Sequence, residues 1–173
     1  MNNTIVSIGL SNPKSPDNVN SVRRAAGNYR VDSIYYTGSR YPRALKLNPG
    51  FAKINRDVSL SIPVNSVDDL FDQVTGKMQI VCVEFAQGAI PLPEFKHPDN
   101  VMYIFGPEDG TLSQEIIDSA DSVVYIPTIG CMNLAATVNV VLYDRLSKSS
   151  INYANEELIS NSRDTNNNLK VKA

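Results

Sequence analysis

Three runs in the second half of the chain, MQIVCVEF (78–85), VMYIFG (101–106) and SVVYIP (122–127), lack the polar–apolar alternation of a strand with one wet face. A strand that is apolar at successive positions has both faces covered, which happens where helices pack on the two sides of a parallel sheet. The intervening segments fit that arrangement. TIVSIGL (4–10) and SIYYTG (33–38) read as two earlier strands, and SPDNVNSVRRAAGNY (15–29) opens with turn residues and continues with helical spacing through Val19, Val22, Ala25 and Ala26. SVDDLFDQVTG (66–76) predicts a helix with Ser66 as N-cap, Asp69 as a shorter stand-in for Glu in a capping box, and Gly76 near the C-cap. LSQEIIDSA (112–120) and the stretch from Met132 to Ser147 predict two more helices. Strands alternating with helices give an α/β fold with a parallel sheet of the doubly wound kind.

The chain has 173 residues, enough for one domain with a sizeable core. The expectation is a single domain over residues 1–150 and a tail, 151–173, whose NSRDTNNNLK stretch is polar enough to be disordered. No run of about 18 apolar residues occurs, and the start, MNNTIVSIGLSNPK, has neither the basic opening nor the apolar stretch of a signal peptide. A cytoplasmic location without membrane association follows as an expectation. Two cysteines, Cys82 and Cys131, are too few for a disulfide framework, and one histidine, His97, makes a metal site of ordinary ligand spacing an unpromising reading.

A net charge of −2 hides an uneven distribution. Residues 1–56 carry nine Lys or Arg against Asp17 and Asp32, a net of +7, and the rest of the chain has a net of −9. Much of the positive charge falls in SRYPRALKLNPGFAKINRD (39–57), which reads as a long basic loop interleaved with Tyr41, Leu45, Leu47 and Phe51. Such a segment is either a solvated loop or a phosphate contact on an acidic body.

Ligands of an open parallel sheet bind beyond the carboxyl ends of its strands. Three strand ends here carry unusual residues. After VMYIF comes Gly106-Pro107-Glu108-Asp109-Gly110, either a solvated turn or a loop with a carboxylate at its tip. The stretch IPTIGCMN (126–133) breaks between strand and helix at Pro127 and Gly130, and carries Thr128, Cys131 and Asn133, where Asn133 is a helix cap or a ligand group. Glu84-Phe85-Ala86-Gln87-Gly88 is the third exit. Asn18 and Arg24 lie six positions apart, about 600° on a helix, so they share no stripe unless Asn18 sits in the turn before it, where Pro16 and Asp17 favour placing it. Of the neighbours Arg23 and Arg24, one faces the sheet edge, and a planar guanidinium fork suits phosphate there.

Together these segments resemble the SpoU/TrmH group of RNA ribose 2′-O-methyltransferases within the SPOUT class. The group's N-x-x-x-x-x-R-x-A motif matches Asn18 through Arg24 to Ala26, and its F-G-x-E-x-x-G-L motif matches Phe105-Gly106-Pro107-Glu108 through Leu112. Its third motif matches Ile126-Pro127, Cys131-Met132-Asn133-Leu134 and Leu142-Tyr143-Asp144. The match spans residues 4–148 in order and departs in two places: the glycine of the second motif falls one position early, as Gly110, and Cys131 stands where a serine is usual. The resemblance implies a SPOUT fold with a C-terminal deep trefoil knot, S-adenosylmethionine as cofactor, and a homodimer built through the last helix whose sites draw on both subunits. It implies that Glu84, Gly106, Ile126, Cys131 and Leu134 form the cofactor pocket and that Arg24, Asn18, Glu108 and Asn133 serve catalysis. Arg24 orients and stabilises charge together with an RNA phosphate, since a guanidinium is a very poor base. Arg23, Arg40, Arg43 and Lys46 are the candidate RNA contacts. The implied substrate is RNA, tRNA ahead of rRNA, because the sequence is similar in extent to minimal members acting on tRNA, including those that modify the wobble ribose.

A second reading is a non-catalytic knotted RNA-binding or assembly protein, favoured by Cys131, the displaced Gly110 and the acidic bulk. Asn18, Arg24, Glu108 and Asn133 occurring together favour the enzyme. An ordinary dinucleotide-binding domain lacks support, since no G-x-G-x-x-G turn follows the first strand.

Overall fold

The computed structural model describes residues 4–47, 61–150 and 156–172. Seven strands form one sheet: β1 (Val6–Leu10), β2 (Ser33–Tyr36), β3 (Val64–Ser66), β4 (Gln79–Val83), β5 (Ile90–Pro91), β6 (Val101–Phe105) and β7 (Ser122–Tyr125). Their spatial order is β3-β2-β1-β6-β4-β7-β5, and every pairing is parallel. The predicted α/β parallel sheet is therefore what the chain forms, with β6 inserted between β1 and β4.

The side-chain alternation of the central strands feeds two separate cores. Val101, Tyr103 and Phe105 of β6 and Val81 and Val83 of β4 face one side, under helices α1 (Pro16–Asn28) and the long C-terminal helix. Met102, Ile104, Ile80 and Cys82 face the other, under Leu70 and Leu112 with Ile116 and Ile117 packed against them. The residues of β6, and of β4 from Ile80 onward, are thus apolar in succession because both layers are covered. On the second side Gly9 leaves room for Leu70, whose Cδ1 would lie 3.1 Å from any Cβ placed there. At the opposite, amino ends of the strands, polar side chains hold the first amides: Val6 N donates to Asp32 Oδ2 at 2.8 Å and Ile80 N to Asp121 Oδ2 at 2.7 Å.

The helices after β2 and β6 are α2 (Arg40–Leu47) and α3 (Gln114–Asp118), and the two last are α4 (Leu134–Ser147) and α5 (Glu156–Ser162). Helix α2 corrects the expectation of a basic loop from residue 39. Pro42 sits in its first turn, where its missing N–H costs nothing, and Ala44, Leu45, Lys46 and Leu47 are good helix formers. Tyr41 is buried and meets Tyr36 edge-on at 5.1 Å. The remainder of that loop, with Phe51, lies outside the described residues. The helix predicted over 66–76 is absent: Ser66 ends β3, and only Phe71–Gln73 forms a single 3₁₀ turn. Asp69 accepts from Phe71 N at 2.8 Å, a local turn that competes with helical bonding, while Leu70 drops into the core. The tail carries α5, with Glu156 and Glu157 in its first turn; every described residue from 156 onward is exposed.

Candidate active site

A half-open pocket with a cavity volume of about 140 Å³ opens at the carboxyl ends of β4, β6 and β7. Its walls come from three exits: Glu84 and Phe85 after β4, Gly106 to Glu108 after β6, and Ile126 to Leu134 after β7. The five residues proposed from sequence to hold a cofactor, Glu84, Gly106, Ile126, Cys131 and Leu134, all line it. Phe85, Tyr125, Met132 and Thr137 line it too and escaped the sequence reading. Thr137 carried a signal, since it lies one turn after Leu134 on the same helix face. Phe85 and Tyr125 pair at 5.9 Å at the pocket wall, a contact that spacing does not reveal.

Glu84 acts first as a clamp on the next loop. Its Oε2 accepts from Leu112 N at 3.0 Å and its Oε1 from Phe85 N at 2.9 Å. A Cβ on Gly106 would sit 3.3 Å from that same Oε2, so a side chain there would press on the clamp.

Glu108 faces the amino end of α1. Its carboxylate accepts from Lys14 N at 2.8 Å, Ser15 N at 3.0 Å and Asn18 Nδ2 at 3.2 Å. Partial burial pushes the carboxyl up, but the amides of Ser15, Glu108 itself and Lys14, with the Asn18 side chain, outweigh it and leave Glu108 below its ordinary value. Asn18 in turn accepts at Oδ1 from Asn133 Nδ2 at 3.0 Å, and Asn133 Oδ1 caps α4 by accepting from Ala135 N at 2.9 Å and Ala136 N at 3.3 Å. The direction of this chain is forced. A carboxylate only accepts, so Asn18 must turn its NH₂ to Glu108 and its oxygen to Asn133. One relay of hydrogen bonds thereby joins the three segments singled out in the sequence.

Asn18 itself stands within α1, not in the turn before it: Ser15 is the N-cap and Pro16 opens the helix. Arg24 consequently lies about 240° around and about 9 Å along the helix from Asn18. It is exposed, is not among the residues of its own chain's pocket, and its side chain has no hydrogen bond or ion pair among the described residues. Arg23 is the inward member of the pair, donating from Nε to Ile62 O at 2.9 Å. Arg40 is engaged with Asp109, whereas Arg43 and Lys46 are exposed.

A second polar cluster lies under α4. His97 Nε2 meets Asp144 Oδ2 at 2.8 Å and its Nδ1 meets the Tyr103 hydroxyl at 2.6 Å. Although the first contact has ion-pair geometry, burial outweighs the Asp144 hydrogen bond and charge and pushes the His97 pKa down, so the neutral ring is the form to reason with. Nε2–H then donates to Asp144, Tyr103 donates to Nδ1, and the Tyr103 oxygen receives Arg145 Nη1 at 3.4 Å. Burial pushes Tyr103 up to about 12, which keeps its proton available to donate. Cys82, buried in the second core, is likewise pushed up to about 12 by burial, while Cys131 is the exposed thiol. Among the described residues no group of three His, Cys, Asp or Glu could hold a metal, and no helix is long and apolar enough to cross a membrane.

The all-parallel sheet, with its pocket at the exits of β4, β6 and β7 beside the hydrogen-bonded Asn18 and Asn133, has the fold of the SpoU methyltransferases. The model of the SpoU rRNA Methylase family matches residues 5–143, and the chain belongs to that family. The tRNA (cytidine-2′-O-)-methyltransferase TrmJ of Methanocaldococcus jannaschii is 26% identical over 168 residues, covering 83% of this chain and 68% of that protein. Among solved structures, the SpoU methyltransferase AviRb of Streptomyces viridochromogenes, in complex with AdoMet, superposes with a TM-score of 0.68 at 19% identity, covering 85% of this chain. The chain spans 58% of AviRb's length. A structure reported for 2-OH methylation of C/U34 on tRNA superposes with a TM-score of 0.71 at 20% identity, covering 85% of this chain and 92% of that one.

Proposed function

We propose that the protein transfers a methyl group from S-adenosylmethionine to a ribose 2′-hydroxyl of RNA, with tRNA ahead of rRNA and a pyrimidine nucleotide as the target. The observation that carries this reading is the relay from Glu108 through Asn18 to Asn133 beside a pocket with apolar walls, Phe105, Ile126 and Leu134, and polar edges, Glu84, Thr128 and Thr137. Those walls suit a ligand that is part aromatic base and part charged amino acid, as this cofactor is. The names of TrmJ and of the C/U34 enzyme support the choice of tRNA, and the latter's similar length supports a comparable catalytic unit. Residues 1–150 are that unit, with 151–173 an appendage, in a cytoplasmic homodimer joined through α4. The trefoil knot belongs to this reading, with the chain beyond β7 threaded through an earlier loop.

S-adenosylmethionine, when bound, supplies an electrophilic methyl group. The residues of this chain hold and orient. Glu84 and Gly106 fix the loop over the pocket, and Cys131 and Leu134 close its other side. Glu108, ionised at neutral pH and saturated with donors, is a poor proton acceptor; its task is to position Asn18 and the second loop. Asn133 sets the start of α4 facing the substrate. Arg24, about 240° round α1 from Asn18, reaches the pocket of the second copy, where together with an RNA phosphate it orients the ribose and stabilises the charge that develops as the hydroxyl proton leaves to water. Arg23 stays with Ile62 and supports that helix, leaving Arg43 and Lys46 for phosphate contacts.

The test is calorimetric titration of S-adenosylmethionine, then methyl transfer from labelled cofactor to separate tRNA and ribosomal RNA pools. Binding with transfer to one pool, lost in Arg24→Ala, supports the enzyme. Absence of cofactor binding at millimolar concentration, with RNA still bound, replaces it with the non-catalytic RNA-binding protein.

A further inference from the structure

One ion cluster beside the pocket has no task in the reaction. Arg40 Nη2 donates to Asp109 Oδ1 at 2.7 Å and Oδ2 at 2.8 Å, and Lys14 Nζ donates to Oδ2 at 3.3 Å. Asp109 follows Glu108 in the loop that walls the pocket, so its carboxylate reaches outward from that loop to cations on two other segments, α2 and the residues before α1. Arg40 opens α2, where a cation opposes the positive end of the helix dipole. Its place is not explained by helix stability.

Arg43 and Lys46 follow Arg40 at three-residue spacing and are exposed. Neither forms an ion pair among the described residues. The helix thus presents a stripe of three cations of which only the first, nearest the pocket loop, is closed, and it is closed by an acid of that loop. A phosphodiester carries the same single charge over two oxygens as a carboxylate and suits the same guanidinium.

We propose that Asp109 is an internal stand-in for an RNA backbone phosphate: it holds Arg40 and Lys14 in the free protein and yields both to a phosphate when RNA lies along α2. This rests on the reading of the substrate as RNA. The arrangement keeps Arg40 fixed before binding, and it sets a threshold, since an anion must displace the carboxylate to enter. Glu108 remains tied to Lys14 N, Ser15 N and Asn18 while its neighbour lets go, so the pocket keeps its wall during the exchange.

The experiment measures the affinity of a tRNA pool at fixed salt for the full chain and for Asp109→Asn, Arg40→Ala and the double variant, with cofactor affinity and a cooperative thermal melt recorded for each. Asp109→Asn binds RNA tighter by about three- to fivefold, the scale of one exposed ion pair released. Arg40→Ala binds more weakly, and in its background Asp109→Asn recovers little. The surface variant Asp118→Asn, which removes the same charge elsewhere, changes affinity by less than about twofold. An unchanged affinity in Asp109→Asn, or an equal gain with and without Arg40, overturns the proposal while leaving the methyltransferase reading intact. If the wild type binds cofactor but no RNA, the RNA reading itself fails, and this proposal fails with it.

Discussion

Asn18 is short, uncharged and placed so that each end of its amide has one partner, Glu108 on one side and Asn133 on the other. Asn18→Ala cuts the relay; it should lower stability by about 1–2 kcal/mol and methyl transfer by at least about tenfold, with a smaller change in cofactor affinity. Asn18→Asp keeps the size but sets a second carboxylate against Glu108. At neutral pH it should be less stable than the alanine variant, and the difference should shrink toward pH 5 as the pair takes up a proton, which thermal melts across pH would read. Equal melting of the two variants at neutral pH would remove Asn18 from the relay. His97 sets a different window. Its folded pKa is depressed, so the unfolded chain binds the proton more readily and stability rises with pH. The contribution is whole above the ordinary value of 6.5 and is lost as pH falls through the depressed one. Asp144, Lys148, Arg145 and Tyr103 all face the ring, and burial is the stronger influence. In His97→Phe the loss of melting temperature between pH 7 and pH 5 should be smaller than in the wild type; an equal loss would place that acid limb elsewhere.

At the scale of elements, the loop from Gly106 to Leu112 keeps its shape because β4 sends Glu84 across to Leu112 N. Glu84→Ala leaves that amide without its acceptor and should weaken S-adenosylmethionine binding by about tenfold in calorimetry, near the worth of one hydrogen bond to a charged group. If affinity is unchanged, the loop holds itself. The same elements show what a sequence discloses. Strands β4, β6 and β7 were legible because burial on both faces writes itself into consecutive residues, and most of the pocket was legible because its walls, Thr137 of α4 apart, lie at the ends of those strands. Helix α2 was not, since 39–57 reads as one long basic loop, whereas Pro42 falls in a first turn, where a helix tolerates it. The segment 66–76 misled in the other direction: its spacing is helical, yet Asp69 bonds locally and Leu70 is drawn down over Gly9. Partners separated by 90 and 115 residues, as in the relay through Asn18, leave no trace in spacing at all.

At the scale of the molecule, the position of Arg24 is the decisive one. Its motif fits a catalytic arginine, yet it is exposed on α1 and is not among the residues that line the pocket of its own chain. The nearby long helix α4 buries Val138, Val141 and Leu142 against its own sheet while leaving Tyr143 62% exposed, and an exposed aromatic on the helix assigned to the interface is where a second copy would pack. A two-fold dimer that brings Arg24 of one chain to the pocket of the other makes a specific arithmetic forecast. Arg24→Ala and Gly106→Val are each inactive as homodimers, the first for want of the arginine, the second because a side chain at Gly106 presses on Glu84 and the pocket wall. In mixed dimers one of the two sites joins an intact Arg24 to an intact pocket. Equal mixing after co-expression makes half of the dimers mixed, so methyl transfer should return to about one quarter of the wild-type rate per subunit. If Arg24 acts within its own chain, every site in the mixture lacks one part and the rate stays at zero.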